Sequence, residues 1–180
     1  MEVRHDTLCA AAEMILKVNQ LPGKMGGNMV ATVGEIQNYP NSRNIIPDKA
    51  HFTVDIRSWD DDHAIKAWED VKAEFEDIAQ RRGCPIRIEE TWRVEHSPFD
   101  ENLVQRVLKT AENLGYSNLH MVSGAGHDAS YMNQIAPTAM IFVPSIGGRS
   151  HVEVEETTWE DCTAGGNVLL HCLIQSANEV

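Results

Sequence analysis

The sequence predicts an α/β chain. Segments with a helical period alternate with short strand-like runs. Residues 52–56 alternate apolar and polar side chains, the period of a sheet with one buried face. Clusters of Gly, Pro and Asn separate the segments. A length of 180 residues is enough for one large domain or two small ones, each with a core.

Taken in order, residues 5–19 place Leu8, Ala11, Ala12, Ile15 and Leu16 on one stripe. That is an amphipathic helix, which Leu21-Pro22-Gly23 is expected to stop. Residues 28–37 and 50–58 read as strands, the second with Phe52, Val54 and Ile56 inward. The Asn- and Pro-rich stretch between them reads as a loop. A second helix runs over 62–82, with Ile65, Trp68, Val71, Phe75 and Ile78 inward and Gly83 as its stop. Residues 85–92 read as another strand. Helices follow at 100–115, 128–135 and 158–177, with strands at 119–122 and 138–144. These alternations predict a parallel or mixed sheet in the later part.

The composition changes near residue 95. Residues 1–94 carry 12 basic and 16 acidic side chains, residues 95–180 carry 3 and 11. We therefore expect two domains, 1–94 and 95–180. The order α-β-β-α-β of the first matches a ferredoxin-like split βαβ module without its opening strand. Such a sheet leaves an unpaired edge, which invites a second chain.

A net charge of −12, with no Lys/Arg block, argues against a nucleic-acid or anionic-membrane partner. No apolar run approaches the ~20 residues of a membrane span. The opening residues lack a secretory apolar core, and the 4 cysteines are scattered. Reduced thiols and a cytoplasmic location are the expectation.

Four clusters could carry chemistry. In Ser-Gly-Ala-Gly-His-Asp-Ala-Ser, residues 123–130, glycines let backbone N–H groups approach a ligand, and His127 opens a helix. The same segment also reads as an ordinary strand-to-helix turn capped by Asp128. In residues 144–156 a Gly-Gly loop presents His151, suited to metal ligation or acid–base work. One histidine makes no metal site alone, and a surface histidine in an acidic loop is the competing reading. Asn44 and Arg57 offer an amide donor and a planar fork for a carboxylate. Arg57 alternatively pairs with Asp55, Asp60 or Asp61. The acidic run Asp60-Asp61-Asp62 reads as a helix N-terminus, and Glu153, Glu155 and Glu156 as a solvated loop.

Together, SRNIIPDKAHFTVDIRS, SGAGHDAS and GGRSH, in this order and spacing, resemble the M20-type amidohydrolases. The similar group contains N-carbamoyl-L-amino-acid hydrolase, β-ureidopropionase and allantoate amidohydrolase. The opening MEVRHDTLCAAAEMI is similar to a helix of that family, so the resemblance covers essentially the whole chain. It implies a ferredoxin-like lid and dimerisation module followed by the C-terminal part of a zinc-peptidase-like catalytic domain. It implies that Asn44 and Arg57 bind the substrate carboxylate, that Gly126 and His127 line the pocket, and that His151 is a metal ligand. The cofactor implied is a divalent metal, zinc or manganese, two per intact site. The substrate implied is an N-carbamoyl amino acid, and the assembly a homodimer. The family's general-base glutamate and other metal ligands have no counterpart in this sequence, so it implies little or no hydrolase activity for this chain alone. A dimerisation or interaction module without catalysis is the competing function.

Overall fold

The computed structural model describes Met1 and residues 3–178. Glu2 of the opening stretch, and Glu179 and Val180 of the expected second domain, lie outside the described residues. The chain divides into two compact units, Met1–His96 and Ser97–Val180.

The first unit opens with helix α1, Thr7–Met25. The Asp6 carboxylate starts it by accepting from the amides of Leu8 and Cys9, both at 3.1 Å. Pro22 does not stop the helix as the sequence suggested: it lies inside the last turn, and Gly26 at φ +69° ends it. Proline costs a helix one N–H. Here Leu21 is buried beside it, and the Gly26 amide bonds the Pro22 carbonyl at 2.8 Å. The buried stripe also differs from the expected one. Ala10, Ala11, Met14, Val18 and Leu21 are buried, whereas Ala12 and Leu16 face solvent. Apolar residues surround much of this helix, so periodicity alone leaves the choice of face to its packing partner.

Strands β1 (Val30–Thr32), β2 (Ile36–Tyr39), β3 (Lys49–Phe52) and β4 (Asp55–Arg57) form a bent antiparallel ribbon. Its two ladders pair β1 with β4 and β2 with β3. Each expected long strand is thus broken in two. Between Thr32↔Asp55 and Ile36↔Phe52, three residues (33–35) face two (53–54). One extra residue makes a bulge, with Gly34 inside it. Phe52, Val54 and Ile56 turn to the core while Thr53, Asp55 and Arg57 face out, as the alternation predicts.

Helix α2, Asp61–Arg82, starts at Asp60, whose carboxylate accepts from the His63 amide at 2.9 Å. Gly83 ends it in the left-handed conformation at φ +61°. Ala67, Val71, Phe75, Ile78 and Ala79 are buried. Trp68 packs partly against the core, and Ile65 is exposed, contrary to its expected inward role. Phe75 meets Phe52 edge-on, ring centroids 5.7 Å apart, which joins helix to ribbon.

In the second unit, α3 (Glu101–Asn113) packs on α5 (Trp159–Ala177). Arg106 Nη1 donates to Ser176 Oγ at 2.6 Å, and Asn167 Nδ2 to Tyr116 Oη at 3.0 Å. The short α4 covers only Asp128–Met132, and a 3-10 turn spans Ile146–Gly148. Three expected strands, 85–92, 119–122 and 138–144, have no ladder among the described residues. Both ladders that exist are antiparallel, so the expected parallel or mixed sheet is corrected too. A strand requires a ladder of hydrogen bonds, and among the described residues these runs form none.

Candidate functional site

Asn44 and Arg57 belong to the first unit. Asn44 sits in the loop between β2 and β3, which the Asp48 amide closes on the Tyr39 carbonyl at 3.1 Å. The Ser42 hydroxyl donates to Asn44 Oδ1 at 3.1 Å, leaving the Asn44 amide nitrogen as a donor. Arg57 stands on the outward face of β4, two residues from Asp55 on the same face. Its Nε donates to Asp55 Oδ1 at 2.9 Å and Nη2 to Oδ2 at 2.7 Å. Of the three acids the sequence offered as partners, the structure selects Asp55. This two-point pairing draws the Asp55 carboxyl below its ordinary value and raises Arg57. The guanidinium is therefore already set in the geometry that a carboxylate takes.

Gly126, His127 and His151 belong to the second unit. His127 is the N-cap of α4 with extended backbone, and its side chain makes no cap bond. Asp128 lies in the first turn, so the alternative of a turn capped by Asp128 is not what forms. The half-buried imidazole lies edge-on to Phe142, ring centroids 5.5 Å apart, with Nε2 2.8 Å from Ser123 Oγ. Gly126 has open space where a Cβ would stand, so the backbone beside the imidazole is accessible.

His151 has φ +60°, in the left-handed region that non-glycine residues seldom occupy. Its amide donates to Glu155 Oε2 at 2.9 Å, and the Ile146 amide bonds the Glu156 carbonyl at 2.8 Å. These bonds close the loop that presents the imidazole. Ser123, Phe142 and Glu155 were not singled out for these roles from sequence. The only local signal was Ser123 two residues before Ala125, the spacing of a hydroxyl-closed turn.

Metal ligation needs several donors at one point. Among the described residues, no three His, Cys, Asp or Glu side chains are grouped to hold an ion. Glu155, the acid nearest His151 in the loop's hydrogen bonding, spends one oxygen on the His151 backbone. The residues present do not by themselves fit a zinc or manganese centre. No helix among the described residues is long and apolar enough to cross a membrane.

The fold is a mixed α/β one, with Arg57 in the first unit and His127 and His151 in the second. Residues 6–175 match Peptidase family M20/M25/M40, and the chain belongs to that family. An N-carbamoyl-L-amino-acid amidohydrolase of Rhizobium meliloti is 42% identical over 159 residues, covering 88% of this chain and 37% of the relative. The allantoate amidohydrolase of Bacillus subtilis is 35% identical over 182 residues, covering 98% of this chain and 43% of the relative. A solved amidase of the hydantoinase/carbamoylase family from Burkholderia multivorans superposes with TM-score 0.91 at 40% identity, over 97% of this chain and 43% of that one. A dinuclear metal-binding M20 peptidase of Bacillus subtilis shares the fold at TM-score 0.66 and 17% identity, over 96% of this chain and 47% of that one. The chain thus spans about two-fifths of the length of its curated relatives.

Proposed function

We propose that this chain is the substrate-carboxylate-binding part of a metal-dependent amidohydrolase acting on the C–N bond of N-carbamoyl-L-amino acids. The supporting observation is its 42% identity to a relative bearing that activity's name. The forked pairing of Arg57 with a carboxylate fits it. In this reading residues 1–94 are the ferredoxin-like lid, which also forms a homodimer, and 95–180 the end of the catalytic domain. The enzyme is cytoplasmic.

Arg57 receives the substrate carboxylate as a planar fork, in exchange for or alongside Asp55, and the Asn44 amide adds one donor. The Gly126 N–H and the His127 imidazole face the ureido oxygen, where donors stabilise developing negative charge. His151 would be one ligand of a zinc or manganese ion, and among the described residues no group of three donors completes such a site.

Two measurements test the reading. Titrating the chain with N-carbamoyl-L-methionine should shift the Arg57 Nε–H resonance, and the neutral amide of the same compound should not. Arg57→Ala should weaken binding of the acid, read by titration calorimetry, about tenfold or more, the scale of a charge-assisted hydrogen bond. Equal responses to acid and amide would remove the carboxylate role. Hydrolysis of N-carbamoyl-L-methionine, with zinc or manganese added to the chain alone, should be undetectable. Turnover there would overturn the expected dependence on further ligands.

A further inference from the structure

The least explained contact in the second unit is the one between Ser123 and His127. Ser123 Oγ lies within reach of three partners: the Ala125 amide at 3.2 Å, the Ala125 carbonyl at 3.3 Å and His127 Nε2 at 2.8 Å. The Ala125 amide can only donate, so it occupies one lone pair of the hydroxyl. The hydroxyl has a single proton to give. An O–H···O bond normally spans 2.5–3.0 Å, and the Ala125 carbonyl lies beyond that range. At 2.8 Å, His127 Nε2 is the better acceptor.

We propose that Ser123 is a positioning residue: its hydroxyl donates to His127 Nε2 and so places the neutral imidazole's proton on Nδ1. Nδ1 has no hydrogen-bond partner among the described residues. It is therefore the nitrogen left to meet a ligand, and it does so as a donor. Phe142 restricts rotation of the ring from its edge, so the two contacts fix both tautomer and orientation. A donor there suits an oxygen of the carbonyl or carboxylate class and rejects a ligand N–H. The mechanistic use of that donor rests on the reading of His127 as a pocket residue. The tautomer itself does not.

The test uses the full chain labelled with 15N-histidine, read by two-bond 1H–15N correlation near pH 8, where imidazoles are mostly neutral. His127→Gln identifies the His127 signals by their loss. The expected wild-type pattern has Nδ1 protonated, against the usual preference of free histidine for Nε2–H. Ser123→Ala should shift the tautomer ratio toward Nε2–H about twofold to tenfold, the equilibrium equivalent of one ordinary hydrogen bond. Ser123→Thr keeps the hydroxyl and should restore the wild-type pattern, which a merely structural role for the side chain would not require. A wild-type His127 protonated mainly on Nε2, or a ratio unmoved by Ser123→Ala, overturns the proposal. If the tautomer is as expected but N-carbamoyl-L-methionine leaves the His127 signals unchanged, the positioning role stands and the pocket role of His127 falls.

Discussion

At the scale of single residues, the chain spends its unusual backbone where elements end and loops turn. Gly83 shows this at the end of α2. Its φ of +61° already favours glycine, and a Cβ there would lie 2.5 Å from His5 Nδ1. Gly83→Ala should therefore destabilise the first unit by about 1–2 kcal/mol, the usual penalty for L-residues in the left-handed region. A urea titration followed by circular dichroism would measure it. No loss in the midpoint would mean that His5 moves aside and the terminus relaxes. The sequence pointed to Gly83 because glycine after a periodic helix has few other uses. His151 uses the same backbone region without being glycine, and nothing in its local sequence announces it. The candidate site residues were nameable from motif likeness alone. Asp55 was one of three acids the sequence offered to Arg57, whereas Ser123 and Glu155 are set by turns that spacing does not encode.

At the scale of elements, the long helices were legible, and of the strands only the two runs at 28–37 and 50–58. A helix carries its hydrogen bonds within itself, so α1, α2, α3 and α5 emerge close to their periodic segments. A strand needs a partner, so the alternation in residues 52–56 was readable while the bulge opposite them was not. The apolar runs at 119–122 and 138–144 show the limit, since β-propensity without a ladder yields no sheet. Between α1 and α2 the apolar stripe is flanked by ion pairs: Glu13 with Arg82 and Arg81, and Glu74 with Lys17 and Lys24. The Arg82 hydrogen bond, then its charge and that of Arg81, hold the Glu13 carboxyl below its ordinary value. Lys17 does the same for Glu74. Both groups bind protons more weakly folded than unfolded. Their stabilisation is thus complete above the ordinary carboxylate value near 4.5 and is lost as pH falls through the lower folded values. Thermal melts from neutral to strongly acidic pH should show Tm falling on that limb. Glu13→Gln should lower Tm at neutral pH and flatten its acid dependence. An acid limb of unchanged slope would show that this pair contributes nothing.

At the scale of the whole molecule, the two units differ in how much each has to hold it together. The first unit contains one contiguous core of α1, α2 and the ribbon, from Ala10 and Met14 to Ile78 and Cys84. In the second, only Thr110, Ala111 and Val168 are buried among the described residues, while Leu169, Leu170, Leu173 and Ile174 of α5 are exposed. Burial of large apolar side chains is the main favourable term in folding, at about 1.5–3 kcal/mol for each one fully buried. Val18, Val71 and Ile78 meet that condition in the first unit. Among the described residues, no side chain of comparable size does so completely in the second. Stability should therefore be graded along the chain, and local opening should begin in the second unit. Hydrogen exchange read by mass spectrometry on the intact chain would show it. Amides of α1 and α2 should outlast those of α3 and α5, although α5 is as long as α1. Ile78→Ala should narrow the gap by lowering protection in the first unit, at a cost of about 2–5 kcal/mol for a fully buried aliphatic. If α5 is instead protected as well as α2, its exposed leucine face is covered in solution. Repeating the exchange at tenfold lower protein concentration would then show whether a second copy covers it, since only an intermolecular contact weakens on dilution.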